Sequence, residues 1–122
     1  MKYKALALDL DGTLTNREKK VPVGNKEAIE KAIDAGVKVI LASGRPLFGI
    51  TPIARELELD KKGGYILAYN GGCIVDCKTG KQMSATIMPQ DCIADICSLA
   101  RANGVYCLLY TSDAADEARS VD

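Results

Sequence analysis

The chain has 122 residues, room for one small domain, and its 16 Lys plus Arg balance its 16 Asp plus Glu, so no charge excess points to nucleic acid or a membrane surface. It contains no His, which excludes Ser-His-Asp and Cys-His nucleophile systems, His-ligated zinc and histidine general bases. Hydrolytic chemistry on such a chain has to run on carboxylates, hydroxyls and a metal bound through oxygen.

The first element, residues 3–8, is short and nearly continuous in apolar residues, which predicts a strand buried on both faces of a parallel sheet. Asp9 stops this run too early for a signal peptide or a membrane span, so a cytoplasmic protein with reduced thiols is expected. The five cysteines (Cys73, Cys77, Cys92, Cys97, Cys107) agree with that. Cys73 and Cys77 have no second ligand pair after them, and they read as small hydrophobes rather than zinc ligands.

At the end of the run stands Asp9-Leu10-Asp11-Gly12-Thr13. Residues two apart in a strand share a face, so Asp9 and Asp11 are expected to project together, with Gly12 letting the chain turn away. Two carboxylates that close stay ionised at low cost only if a cation shares the site; otherwise one keeps a proton. Both arrangements serve phosphoryl transfer, where a metal offsets phosphate charge and a protonated carboxyl serves the leaving oxygen. A calcium loop would need a third oxygen residue before the Gly, a later Glu and a preceding helix, none of which is present. A polar turn that merely ends a strand is the plainer alternative, although it requires neither the second Asp nor the Thr.

Residues 15–20 are polar and should leave the sheet. Pro22 then suits the first turn of a helix in which Ala28, Ile29, Ala32, Ile33 and Ala35 recur at helical spacing, with Gly36 as its end. Residues 37–42 form a second apolar strand, closed by Ser43-Gly44-Arg45-Pro46, so strand, helix and strand make one βαβ unit. Such units place ligands beyond the carboxyl ends of their strands, where Asp9, Asp11 and Ser43 all fall. A second helix is predicted through about Leu57 with Ile50, Ile53, Ala54 and Leu57 inward, then a polar link over residues 60–64 and a third strand over 65–69. Asn70-Gly71-Gly72 ends that strand. Residues 74–76 and 83–88 read as a hairpin, and a helix opening near Met88-Pro89-Gln90-Asp91 carries Ile93, Ile96, Cys97 and Ala100 on one stripe. On the residues alone, Ser43 is also readable as a helix N-cap, Arg45 as a surface side chain and Asn70 as a turn residue.

Asp9-Leu10-Asp11-Gly12-Thr13-Leu14 resembles the first motif of the haloacid dehalogenase superfamily, and Ser43 at the end of Val39-Ile40-Leu41-Ala42 matches the second. Gly44-Arg45-Pro46, with Tyr69-Asn70-Gly71-Gly72, resembles the Cof-type, type IIB sugar-phosphatase branch. The resemblance runs from about residue 2 to about residue 106. It implies an α/β fold, a three-layer Rossmann-like core with a parallel sheet, truncated, followed by the beginning of an α/β cap. Residues 1–84 would be the core and 85–106 the start of the cap.

For activity, the resemblance implies a phosphatase of small phosphorylated metabolites such as sugar phosphates. Asp9 would be the nucleophile, and Asp11 the acid and base, with a raised pKa. Mg²⁺ would be held by Asp9 and the main-chain carbonyl of Asp11. Ser43 and Thr13 would help bind the phosphoryl group, with Gly44, Arg45 and Asn70 near the phosphate or substrate. Residues 15–20 would be a small flap over the site. The third-motif Lys and the fourth-motif acids would lie beyond residue 122, so the fragment is expected to be nearly inactive and the first strand, central in the parent, to be an open edge. A phosphomutase of the same branch and a non-catalytic sensor on this fold are the alternatives.

Cys107-Leu108-Leu109-Tyr110-Thr111-Ser112-Asp113-Ala114-Ala115-Asp116-Glu117 resembles the translation of a transposase-type sequencing adapter. Residues 107–122 are therefore expected to be a non-native tail without a biological role.

Overall fold

The apolar run at the start becomes β1 (Ala5–Asp9), which pairs in parallel with β2 (Lys38–Ala42), Ala5 beside Lys38 and Asp9 beside Ala42. The structure, a computed structural model, describes residues 2–110 and 118–121. Residues 111–117 and Asp122, which include most of the adapter-like stretch with Asp113 and Asp116, lie outside the described residues.

Between the first two strands runs α1 (Val23–Asp34), with Pro22 just outside it in extended conformation as the N-cap rather than inside its first turn. Its inward face is narrower than the sequence period suggests. Ile29 is buried and Ile33 packs against the core, whereas Ala28 and Ala35 are exposed. In α2 (Leu47–Glu56) the expected face holds throughout, with Ile50, Ile53, Ala54 and the C-cap residue Leu57 all buried. Pro52 lies inside this helix, and the hydroxyl of the preceding Thr51 donates to the Leu47 carbonyl one turn back at 2.9 Å.

The polar link contains an additional short helix, α3 (Leu59–Lys62), entered through Glu58 in left-handed conformation at φ 59°. Its purpose is visible in Leu59, which is fully buried beside Leu57 in the core cluster. Asp60-Lys61-Lys62 hides that anchor from a reading based on polarity. β3 (Tyr65–Ala68) pairs in parallel with β2, and β4 (Cys73–Asp76) and β5 (Gln82–Ala85) continue antiparallel, giving a five-stranded mixed sheet in the order β1-β2-β3-β4-β5. The largest fully buried side chains are Leu10, Leu14, Val39, Leu41, Ile50, Leu57 and Leu59. Leu10 and Leu14 belong to the loop after β1, so the core itself fixes that loop.

The open edge expected of β1 in this chain holds, and burial on both faces, the reading of its apolar run alone, is corrected. Ala5, Leu6 and Ala7 are exposed and only Leu8 is half-buried. The physical reason is position: β1 is the sheet's outer strand and β2 is its one paired neighbour among the described strands. An apolar strand with a free row of backbone groups templates pairing with another chain. Placing a charge there, Leu6→Lys, should lower self-association; sedimentation velocity at rising concentration checks this, and an unchanged association profile would contradict it.

This first unit comprises Met1–Ala85, and a second comprises Thr86–Asp122. The second begins with a 3-10 turn (Gln90–Cys92) and α4 (Ile93–Ala102), followed by β6 (Cys107–Tyr110) paired antiparallel with β7 (Ala118–Val121). α4 buries Cys97 and Ala100, half-buries Ile93 and leaves Ile96 exposed, so the expected stripe is only partly covered. Among the described residues no helix is long and apolar enough to cross a membrane. The cysteines are free, and burial together with Asp76 and Asp60 pushes the Cys77 thiol up to about 11, which makes it a poor thiolate.

Candidate functional site

Two buried leucines shape the first half of the site. With Leu10 and Leu14 held in the core, the chain after β1 closes a tight loop. The Thr13 N–H donates to the Leu10 carbonyl at 3.0 Å, the Leu14 N–H to the Asp9 carbonyl at 3.2 Å, and the Thr15 N–H to the Leu10 carbonyl at 3.0 Å. Gly12 takes a left-handed conformation at φ 80°, where a side chain is strained. Thr15 was not anticipated as a contributor. It is buried, and its hydroxyl donates a second hydrogen bond to the Leu10 carbonyl at 3.0 Å, which ties the loop shut. Asp9, Asp11 and Thr13 are left on the exposed side.

The second half is the turn after β2. The Ser43 N–H donates to the Leu67 carbonyl, and its own carbonyl accepts from the Asn70 N–H, both at 3.0 Å. The Tyr69 N–H donates to the Arg45 carbonyl at 3.0 Å. The Ser43–Arg45 turn is thereby stitched to the chain after β3. That chain makes the fit through three successive positive φ values, 53° at Tyr69, 56° at Asn70 and 93° at Gly71. Non-Gly residues in this region carry a conformational cost, and such residues concentrate at functional sites. The Asn70 amide lies over Gly44, where a Cβ would stand 3.0 Å from Asn70 Oδ1. Ser43 is not the N-cap of α2: that position is Pro46, and Ser43 Oγ instead accepts the Arg45 N–H at 3.1 Å.

These two halves enclose a recess of about 390 Å³ lined by Asp9, Ala42, Ser43, Gly44, Leu67, Asn70 and Gly71. Of the residues singled out in the sequence, the structure therefore gathers Asp9, Ser43, Gly44 and Asn70 around one space. Thr13 is not part of the lining. Asp11 is not part of it either, and its carboxylate is held at the side by Arg45. Arg45 Nε donates to Asp11 Oδ2 at 3.0 Å, Nη2 donates to Oδ1, and Nη1 donates to the Gly49 carbonyl at 3.1 Å. Lys19 Nζ adds a further contact to Asp11 Oδ1 at 2.8 Å. Lys19 was absent from the sequence candidates; it lies in residues 15–20, which the resemblance reads as a flap, and its pairing with Asp11 was not foreseen.

The expected upward pKa shift of Asp11 is reversed. Hydrogen bonds from Arg45 and then Lys19 hold its carboxyl well below the usual carboxylate range, against a weaker opposing effect of burial. Because its folded pKa is depressed, the pairing adds stability above the ordinary carboxylate pKa and loses it as pH falls into the acid range. The Asp11 side chain is 42% exposed, so that contribution is screened and small. A ¹³C titration of the Asp11 carboxyl should show a midpoint far below that of an ordinary Asp, moving up in Arg45→Met. An unmoved midpoint in the variant would contradict the ion pair.

Among the described residues no group of three or more His, Cys, Asp or Glu could hold a metal. What the site offers is the Asp9 carboxylate, with Oδ1 accepting the Leu10 N–H at 2.9 Å, and, two residues on in the chain, the main-chain carbonyl of Asp11. These are hard oxygen donors. They suit a hard cation held through oxygen.

Comparison with known proteins identifies the family. The family profile for haloacid dehalogenase-like hydrolases matches residues 6–116. The 5-amino-6-(5-phospho-D-ribitylamino)uracil phosphatase of Bacillus subtilis strain 168 is 37% identical over 111 residues, covering 90% of this chain and 36% of that protein. A crystal structure of a haloacid dehalogenase-like hydrolase from Bacteroides thetaiotaomicron matches with TM-score 0.78 and 40% identity over 89% of this chain and 41% of its own. A subclass IIB sugar phosphatase of the superfamily shares the fold with TM-score 0.73 at 24% identity, over 96% of this chain and 43% of its own. The chain spans about two fifths of the length of these relatives. Matched along most of its length, it belongs to the haloacid dehalogenase-like hydrolase family.

Proposed function

We propose that the protein of which this chain is a part is a Mg²⁺-dependent phosphatase of small phosphorylated metabolites, sugar phosphates among them, working through an aspartyl-phosphate on Asp9. The observation that carries this reading is the recess at the carboxyl ends of two adjacent parallel strands, with Asp9 on one and the buried Ser43 just past the other. A carboxylate nucleophile and a hydroxyl donor then face the same small volume.

In this reading a carboxylate oxygen of Asp9 attacks phosphorus as the ester P–O bond breaks, and Asp11 gives its proton to the departing alcohol oxygen. Water then attacks the phosphorus of the acyl phosphate, Asp11 accepts the proton, and Asp9 is released as a carboxylate. Ser43 Oγ–H donates to a phosphoryl oxygen, while Gly44 and Asn70 shape the wall that holds it. Bound between the Asp9 carboxylate and the Asp11 carbonyl, Mg²⁺ would offset the phosphate charge and keep Asp9 ionised. Since Asp11 is locked as an anion by Arg45, it reaches its donor form only when that pair is loosened by the incoming substrate.

The 122-residue chain by itself is proposed to be nearly inactive, because phosphoryl transfer depends on positioned charge and the downstream lysine and acidic residues are not in it. The test is turnover of p-nitrophenyl phosphate. A chain extended to the length of its relatives should hydrolyse it with Mg²⁺ and stop with EDTA, and the 122-residue chain should show only a trace. Sustained turnover by the short chain, lost in Asp9→Asn, would contradict its inactivity. Mg²⁺ binding without hydrolysis by the extended chain would favour a sensor instead.

A further inference from the structure

The Asp11 carboxylate carries two cations within hydrogen-bond distance. Asp11 is paired with both Arg45 and Lys19, so a second cation stands at the loop that carries Asp9 into the recess. The two cations are not equivalent. Arg45 is 24% exposed and is also tied to the Gly49 carbonyl, so it is fixed in place. Lys19 is 66% exposed, and among the described residues its ammonium is placed on Asp11.

The backbone under Lys19 is built to present it. Asn16 Oδ1 accepts the N–H groups of both Glu18 and Lys20 at 3.0 Å, the Asn16 N–H donates to the Lys20 carbonyl at 2.9 Å, and the Lys19 N–H donates to the Asn16 carbonyl at 3.0 Å. At the apex of this braced turn Lys19 has φ 63°, a conformation that glycine or asparagine adopts more easily. A lysine held there at a conformational cost, with its ammonium on a site carboxylate, points to a use for the charge.

Resting on the phosphatase reading, we propose that Lys19 is a substrate-recognising residue whose ammonium passes from Asp11 to the phosphoryl group of a phosphate monoester entering the Asp9–Ser43 recess. A compact ammonium on a long stem fits that transfer, since it binds phosphate as a point charge and needs no fixed fork geometry. Arg45 keeps its tie to the Gly49 carbonyl, and Asp11, left with one cation fewer, is nearer the loosened state that its donor form requires.

The experiment titrates the ¹⁵N-labelled chain with inorganic phosphate in the presence of Mg²⁺. The amide signals of Gly12, Thr13, Ser43 and Gly44 report the recess, and the Lys19 side-chain signal reports its partner. Phosphate should shift both sets. Lys19→Met should weaken phosphate binding about tenfold, as expected for a lost charge-assisted hydrogen bond, and Lys19→Arg should restore most of it. Lys20→Met should bind like the unaltered chain. Lys19→Gly, which relieves the left-handed conformation, should bind as weakly as Lys19→Met without a lower thermal midpoint, an outcome that a purely structural role for Lys19 does not produce. Recess amides that shift with equal affinity in Lys19→Met would overturn the role of Lys19 while leaving the phosphate site intact. If phosphate shifts neither set in the unaltered chain, the phosphate reading of the recess fails, and this inference with it.

Discussion

Asp9→Asn is expected to reduce Mg²⁺-supported hydrolysis of phosphate monoesters by the extended chain at least about a thousandfold, because the covalent step has no other nucleophile to run on. The same change should leave the fold untouched. Asp9 is exposed at the end of β1, and the hydrogen bond shown for its side chain is the one Oδ1 accepts from the Leu10 N–H, which an amide oxygen accepts equally well. Steady-state kcat measured beside the thermal midpoint separates the two effects. A collapse in kcat with an unchanged midpoint is the predicted result, whereas a variant within tenfold of the unaltered chain would remove Asp9 from the chemistry.

Gly64→Ala should give the largest loss of stability among single-methyl additions. Gly64 is buried at φ 154°, immediately before β3, and a Cβ there would stand 2.9 Å from the Val39 carbonyl oxygen, with Leu59 methyl carbons at 3.2 and 3.3 Å. The first of these contacts is with backbone of the neighbouring strand, which cannot yield without disturbing the β2–β3 pairing. Strain at such a backbone angle and overpacking each cost on the order of 1–3 kcal/mol, so a total of about 3 kcal/mol is expected. For a unit of this size that corresponds to a fall of more than about 10 °C in thermal midpoint. Gly80, also at positive φ but with open space around its would-be Cβ, is the control that should lose much less.

Much of this architecture is legible in the sequence, for local reasons. The α2 stripe reads correctly because four apolar residues at helical spacing leave one solution, and all four are buried. Asp9, Ser43 and Asn70 read correctly as strand-end residues because apolar runs mark where strands stop, and parallel pairing brings those ends together. The misses are long-range or conformational. The apolar run of β1 read by itself overstates its burial, because apolar content reports what a strand could bury and its neighbours decide whether it does; the open edge was legible only through the resemblance. Asp11 was expected to gain a proton, and it is instead held ionised by Arg45, 34 residues away, a pairing set by tertiary structure. Lys19 and Leu59 were concealed for a shared reason: each sits in a polar stretch whose turn depends on a non-glycine residue at positive φ, Lys19 itself and Glu58.

The most direct test of the central claim traps the covalent intermediate. The extended chain, quenched during turnover of a phosphate monoester and reduced with borohydride, should yield homoserine at position 9 by peptide mass spectrometry, since an acyl phosphate is reduced where a free carboxylate is not. Homoserine at position 11, or none at either position while turnover proceeds, would contradict the assignment of Asp9 as the residue that takes the phosphoryl group.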